Sequence, residues 1–266
     1  MIEYRFAGMC THSTPKTVGG PNEDAFVTTP SAIVVADGAT AKSIGASAPP
    51  PVSAGEVARL VAEKAAASQL NGPELVAELN KAVARLASAR SSQPSSCTLA
   101  CVRLVDASLI ITIVGDTSVR INGPSGMTYC ERMIIDDLTS AARAHYIALT
   151  GDVDGSRDFI MPLLSRQSTY RNNDIHPLGY GIIDGTETPM RFVRTITLPL
   201  ESSDPWSVEV FTDGYAKLPD GVDIADWEQA FTDTMAEDPD RCRSFPSTKS
   251  KDDRTIVTAR VEAHLN

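Results

Sequence analysis

The chain of 266 residues carries 24 Lys and Arg against 34 Asp and Glu, a net charge of −10, with 42% hydrophobic and 22% charged residues. These fractions suit a globular protein long enough to bury one large core, which excludes wholesale disorder and collagen-like repetition. The acidic balance argues against a nucleic-acid partner, because neutralising phosphates takes clustered Lys and Arg.

In chain order, the first apolar run is 31–36, β-branched and short, and it reads as a strand. Two helices are expected next. Over 52–70, Ser53 and Glu56 form a capping box ahead of Val57, Leu60 and Val61. Over 73–90, Leu75, Leu79, Val83 and Leu86 share one stripe behind Pro73. Pro49-Pro50-Pro51 reads as a stiff link into the first helix, and the Ser/Pro-rich stretch 88–96 ends the pair. Strands follow at 98–105, 109–114 and 118–121. Asp106-Ala107-Ser108 closes a hairpin between the first two, and Asn122-Gly123 turns the chain before Met127-Thr128-Tyr129. Region 132–190 mixes a helical stretch (138–149) with turn-rich patches at 151–156 and 171–174. It is expected to form a flap over the site, with Arg171-Asn172-Asn173 and Tyr180 at its surface. Further strands are expected at 192–198, 207–212 and 255–261.

Strands, a helix pair, then strands again predict a single α+β domain over 1–266 with antiparallel sheets covered by helices. No run of about 18 apolar residues occurs, so no membrane span is expected. Met1-Ile2-Glu3-Tyr4-Arg5 lacks the basic region and apolar core of a secretory signal, and a cytoplasmic location is the expectation. The five cysteines form no C-x-x-C pair and the four histidines no H-E-x-x-H, so neither a disulfide framework nor a common zinc site is indicated. Cys97 and Cys101 fall on one face of a strand and read as small buried apolar residues.

The aspartates carry the chemical signal. Asp37, Asp116 and Asp213 each follow an apolar strand where the chain turns. Glu23-Asp24 and Asp252-Asp253 each precede one. A lone Asp-Gly is an ordinary turn dipeptide. Several carboxylates aimed from the ends of one sheet system repel one another unless a cation lies between them. Hard oxygen-seeking ions such as Mg²⁺ or Mn²⁺ suit that role, and a pair of them activates water and clamps phosphate.

The order Asn22-Glu23-Asp24-Ala25, Val35-Ala36-Asp37-Gly38, Ser96-Cys97-Thr98-Leu99-Ala100, Val114-Gly115-Asp116-Thr117, Phe211-Thr212-Asp213-Gly214 and Asp252-Asp253-Arg254-Thr255-Ile256-Val257 resembles the metal-dependent Ser/Thr protein phosphatases of the type-2C (PPM) group. The resemblance implies a four-layer α-β-β-α sandwich of two antiparallel sheets. It implies a cofactor of two Mn²⁺ or Mg²⁺ ions, with Asp37 bridging both and the Gly38 carbonyl on one. Glu23, with Asp24 beside it, would hold the second ion, Asp213 and Asp253 would complete the first ion's shell, and Asp116 would hold a third. The implied activity is hydrolysis of phosphoserine and phosphothreonine on a protein by metal-activated water, opposite a partner kinase in cytoplasmic signalling.

The chain departs from the family pattern at four places. Gly19 stands where the family often has an Arg for substrate phosphate, with Lys16 as the nearest cation, and a Lys lacks the bidentate fork. Asp37-Gly38-Ala39-Thr40-Ala41 lacks a His found after Asp-Gly in some members, which leaves His12 as a candidate proton donor near substrate. Lys217 replaces an acid after the later Asp-Gly. Arg254 follows Asp253 where Asn is usual. The alternatives are a catalytically weak relative that binds phosphoproteins or other partners, and a phosphomonoesterase of small metabolites.

Overall fold

Strands that are apolar at consecutive positions need cover on both faces, and the fold supplies it. The computed structural model describes residues 2–40, 51–90, 95–200 and 206–265. One sheet has the order β1 (Ile2–Thr14), β10 (Arg254–Leu265), β9 (Trp206–Phe211), β6 (Ser118–Ile121), β7 (Met127–Tyr129). The other has the order β2 (Ala25–Thr29), β3 (Ala32–Ala39), β4 (Ser96–Val105), β5 (Ser108–Val114), β8 (Arg194–Pro199). Every pairing is antiparallel.

The period-2 alternation of a strand divides β3 between two cores. Ile33 and Val35 meet Val102, Ile111, Val208, Val210 and Val257 between the sheets. Val34 and Ala36 face the other way, onto Val57, Val61, Leu75 and Leu79 of α1 (Ala54–Ala67) and α2 (Gly72–Ala89). The outer face of the first sheet is covered by α5 (Ile224–Glu237), whose fully buried Trp227 packs with Phe211, Tyr215 and Ile256. The result is the expected four layers. α3 (Ile134–Thr150) and α4 (Ser156–Arg166) pack on each other at one end of the sandwich.

Local sequence signals hold in detail. Ser53 accepts from the Glu56 amide while Glu56 caps the Ser53 amide, closing the capping box of α1. Asp106 and Asn122 take positive φ at the two hairpin turns. Cys97 and Cys101 are buried under the helix pair. The differences are local as well. The helix expected at 138–149 spans Ile134–Thr150, the turn at 151–156 leads into α4, and the strand expected at 192–198 starts at Arg194 after a 3-10 turn, Met190–Phe192. β1 and α5 were not anticipated, and β2 follows Glu23-Asp24 as expected. Pro49, Pro50 and residues 91–94 lie outside the described residues. Among the described residues no helix is long and apolar enough to cross a membrane.

Candidate active site

Antiparallel pairing decides which chain ends meet. Ala25 pairs with Ala36, Asp37 with Thr98 and Leu99 with Val114, so the start of β2, the ends of β3 and β5, and the start of β4 share one end of a sheet. Ile256 and Ser118 both pair with Phe211, and Thr14 pairs with Arg254. The end of β9 and the starts of β6 and β10 therefore share one end of the other sheet. The two ends are joined. Thr212 donates to the buried Asp24 carboxylate (3.0 Å), and Thr98 and Thr117 share a hydroxyl hydrogen bond (2.6 Å). All the strand-end motifs thus converge on one end of the sandwich.

The glycines of both Asp-Gly pairs serve this convergence. A Cβ on Gly38 would lie 2.4 Å from the Glu23 carbonyl oxygen, and one on Gly214 would lie 2.2 Å from the Asp253 carbonyl oxygen. Glycine is needed at both because the main chain of another motif presses against it.

Here a cleft of about 830 Å³ opens between the sheet ends and α3–α4, lined by Lys16, Glu23, Asp37, Gly38, Asp116, Asp136 and Asp213 among others. Burial, followed by Asp24, Asp213, Asp252 and Asp116, holds the Asp37 carboxyl well above the ordinary carboxylate range. Burial, Asp213 and Asp136 do the same to Asp116. Asp136 and Asp252 are each pushed up to about 6, first by burial and then by Asp213. Asp213 is thus the common neighbour of the crowded acids. Among the described residues, neither the Asp37 nor the Asp213 carboxylate finds a protein hydrogen-bond donor.

A second group of acids is already satisfied. The Lys16 ammonium bonds Glu23 and also Asp253 (3.0 Å), while the Lys16 amide donates to the other Asp253 oxygen (2.7 Å). Thr40 donates to Glu23. Burial depresses the Lys16 ammonium, but Glu23 and Asp253 outweigh it and its pKa is raised. Lys249 pairs with Asp252 at 2.5 Å.

Three residues lie elsewhere than the sequence suggested. Asp24 sits between the sheets rather than in the cleft; one of its oxygens is buried without a partner, and burial pushes its pKa up to about 7. His12 bonds Thr14 (2.8 Å) and approaches Glu228 of α5 (3.3 Å), so it does not line the cleft. Asp253, chosen from the motif, faces Lys16, and its neighbour Asp252 stands against Asp213.

Sequence reasoning missed Asp136, Lys249 and Arg157, and it named Asp252 as a strand-boundary acid while giving the metal role to Asp253. Asp136 lies in the first turn of α3 and accepts from Gln167 (2.6 Å), which brings the flap's own acid to the cleft. Arg157 of α4 bonds the Thr248 carbonyl at the rim. Arg171 and Tyr180 line the same cleft, with the Arg171 Nε buried and unpartnered among the described residues. Arg143 of α3 donates to Ser156 (3.0 Å) and to the Asp240 (2.9 Å), Arg241 (3.1 Å) and Ser247 (3.1 Å) carbonyls, which fastens the flap to the loop before β10.

The donor set, carboxylate oxygens crowded by like charge, fits hard divalent ions in type. The set is not closed around one point. Among the described residues no three His, Cys, Asp or Glu side chains are placed to hold a single ion.

No protein-family model and no curated protein matches the sequence. Solved structures do match its fold. The catalytic domain of the serine/threonine phosphatase PstP, in complex with 2 manganese ions, is 14% identical with a TM-score of 0.54, over 98% of this chain and 100% of that one. Stp1 of Staphylococcus aureus, a serine/threonine phosphatase, is 15% identical with a TM-score of 0.54, over 95% and 94%. RsbX in complex with magnesium is 12% identical with a TM-score of 0.50, over 98% and 100%. The chain shares the fold of these type-2C phosphatases, and the resemblance read from the motifs holds at that level.

Proposed function

We propose that the cleft hydrolyses phosphate monoesters of serine or threonine on a protein, with water as the nucleophile and inorganic phosphate and the free hydroxyl as products. The observation that carries this reading is the meeting of Asp37, Asp116, Asp213 and Asp252, from four strand ends, close enough that their charges press on one another. Aspartates gathered this closely repel a phosphate dianion unless divalent ions come with it. The fold's solved relatives with manganese and magnesium support the same reading.

Asp37 and Asp213 would hold Mn²⁺ or Mg²⁺, with Asp116, Asp136 and Asp252 as their charged neighbours. When bound, such ions lower the pKa of a coordinated water and neutralise phosphate oxygens. The chain's own cations do the rest. Arg157 and Arg171, at the rim, would orient phosphate oxygens in place of the absent Arg at position 19, and their planar forks suit that task. α3–α4 narrows the cleft and excludes water around the ester.

The test is phosphate release from a phosphothreonine peptide with Mn²⁺, beside a panel of small phosphorylated metabolites. The reading expects Mn²⁺-dependent turnover, lost in EDTA and in Asp37→Asn, with the peptide preferred. Full turnover in EDTA would contradict it. Preference for a metabolite would move the substrate class and keep the chemistry.

A further inference from the structure

Lys16 is fixed in place by more than one bond. It follows Pro15, whose ring holds φ near −65°, and its own amide is anchored on Asp253 at 2.7 Å. Its ammonium then reaches the second Asp253 oxygen at 3.0 Å and the Glu23 carboxylate. Asp253 is 3% exposed and Lys16 about a third. The Glu23 amide closes the group by pointing at the same Asp253 oxygen at 3.4 Å. Both acids are among those the motifs assign to divalent ions. Both use oxygens on the ammonium that an ion would need.

We infer that Lys16 is a resident cation. Its ammonium neutralises Glu23 and Asp253 in place of a second divalent ion, so the cleft loads one ion, at the Asp37–Asp213 side. This rests on the reading of the cleft as a divalent-cation site. A hard ion ligates carboxylate oxygen at about 2.0–2.6 Å. An ion on the Asp253 oxygen already bonded to Lys16 would therefore lie within a few ångströms of the ammonium, and two cations that close repel strongly where water is scarce. The ion enters there only if Lys16 leaves, and the anchored main chain of residue 16 opposes that. Asp37 and Asp213 accept no hydrogen bond from a protein donor among the described residues, so no ammonium is seated on their oxygens as Lys16 is on Asp253. Lys249 is bonded to Asp252 rather than to that pair, although its charge reaches both of them.

The experiment is a calorimetric Mn²⁺ titration of the full chain, of Lys16→Met and of Lys16→Arg, with thermal melts to confirm folding. The wild type is expected to take one ion per chain. Lys16→Met should gain a second, bound at least about tenfold tighter than any second ion in the wild type, a difference of about 1.4 kcal/mol. Lys16→Arg, which keeps the charge, should behave as the wild type. Two tight ions in the wild type overturn the inference whether or not the variants fold, and they leave the phosphatase reading standing. Identical isotherms for the wild type and Lys16→Met overturn it as well. Absence of Mn²⁺ binding in every protein removes both readings.

Discussion

Two clusters of buried charge in this molecule follow opposite rules. On the outer face of the first sheet, Glu209 meets Arg120, whose Nε lies 2.9 Å away, and accepts from the Trp227 indole at 3.0 Å. The rest of the Arg120 guanidinium is spent on the Pro219 (2.7 Å) and Gly221 (2.6 Å) carbonyls. One cation answers one carboxylate. At the cleft, Asp37, Asp116, Asp136, Asp213 and Asp252 crowd together, while Lys16 is bonded to Glu23 and Asp253 and Lys249 to Asp252. A fold able to bring a cation to Glu209 gathers like charges at these strand ends instead, and such concentrated like charge marks a functional site.

The contrast can be broken from either side. The largest effect is expected at the crowded end: Asp37→Asn or Asp213→Asn should cut Mn²⁺-dependent turnover by at least about a thousandfold, as loss of a preorganised electrostatic group does. The same variants should be more stable in EDTA by about 1 kcal/mol, since a repelling charge is gone; urea melts would show it. The paired cluster should respond in reverse. Arg120→Met leaves Glu209 buried and uncompensated, and is expected to lose about 3–5 kcal/mol in urea unfolding with little change in Mn²⁺ binding.

A pH series sharpens the comparison. Asp24 is held up to about 7, and Asp136 and Asp252 to about 6, against an unfolded value of 3.8. Between those values the folded chain binds more protons than the unfolded one, so stability falls as pH rises through the window. In EDTA the melting temperature should be higher near pH 5 than near pH 7.5, and saturating Mn²⁺ should remove the share of that loss that comes from Asp136 and Asp252. The smallest effect lies far from both clusters. Ser53→Ala removes one half of the α1 capping box and should cost about 1 kcal/mol by thermal melt.

Much of this was legible in the sequence because its signals are local. The helix pair was set by the Ser53–Glu56 box and the Leu75–Leu79–Val83 stripe, and the strand ends by acids beside glycines. β1 was hidden by its own bulge. Tyr4 and Phe6 alternate inward, but the register shifts between Ala7 and Cys10 around Gly8 at φ 58°, and Met9 resumes the inward face out of phase. α5 opens on a box of two aspartates, Asp223 and Asp226, in place of the usual Ser/Thr and Glu. Asp252 and Asp253 are adjacent at the start of a strand, where one residue of register turns a side chain to the opposite face; only the three-dimensional arrangement separates them. Asp136 reads locally as a helix N-terminal acid. Its return to the cleft depends on the packing of α3 against α4 and on Arg143.

The most direct test of the central claim is a crystal structure of the Mn²⁺-soaked protein with anomalous scattering. The account predicts a manganese peak bounded by Asp37 and Asp213, with Lys16 still on Glu23 and Asp253. A cleft free of anomalous density at saturating Mn²⁺ would contradict it.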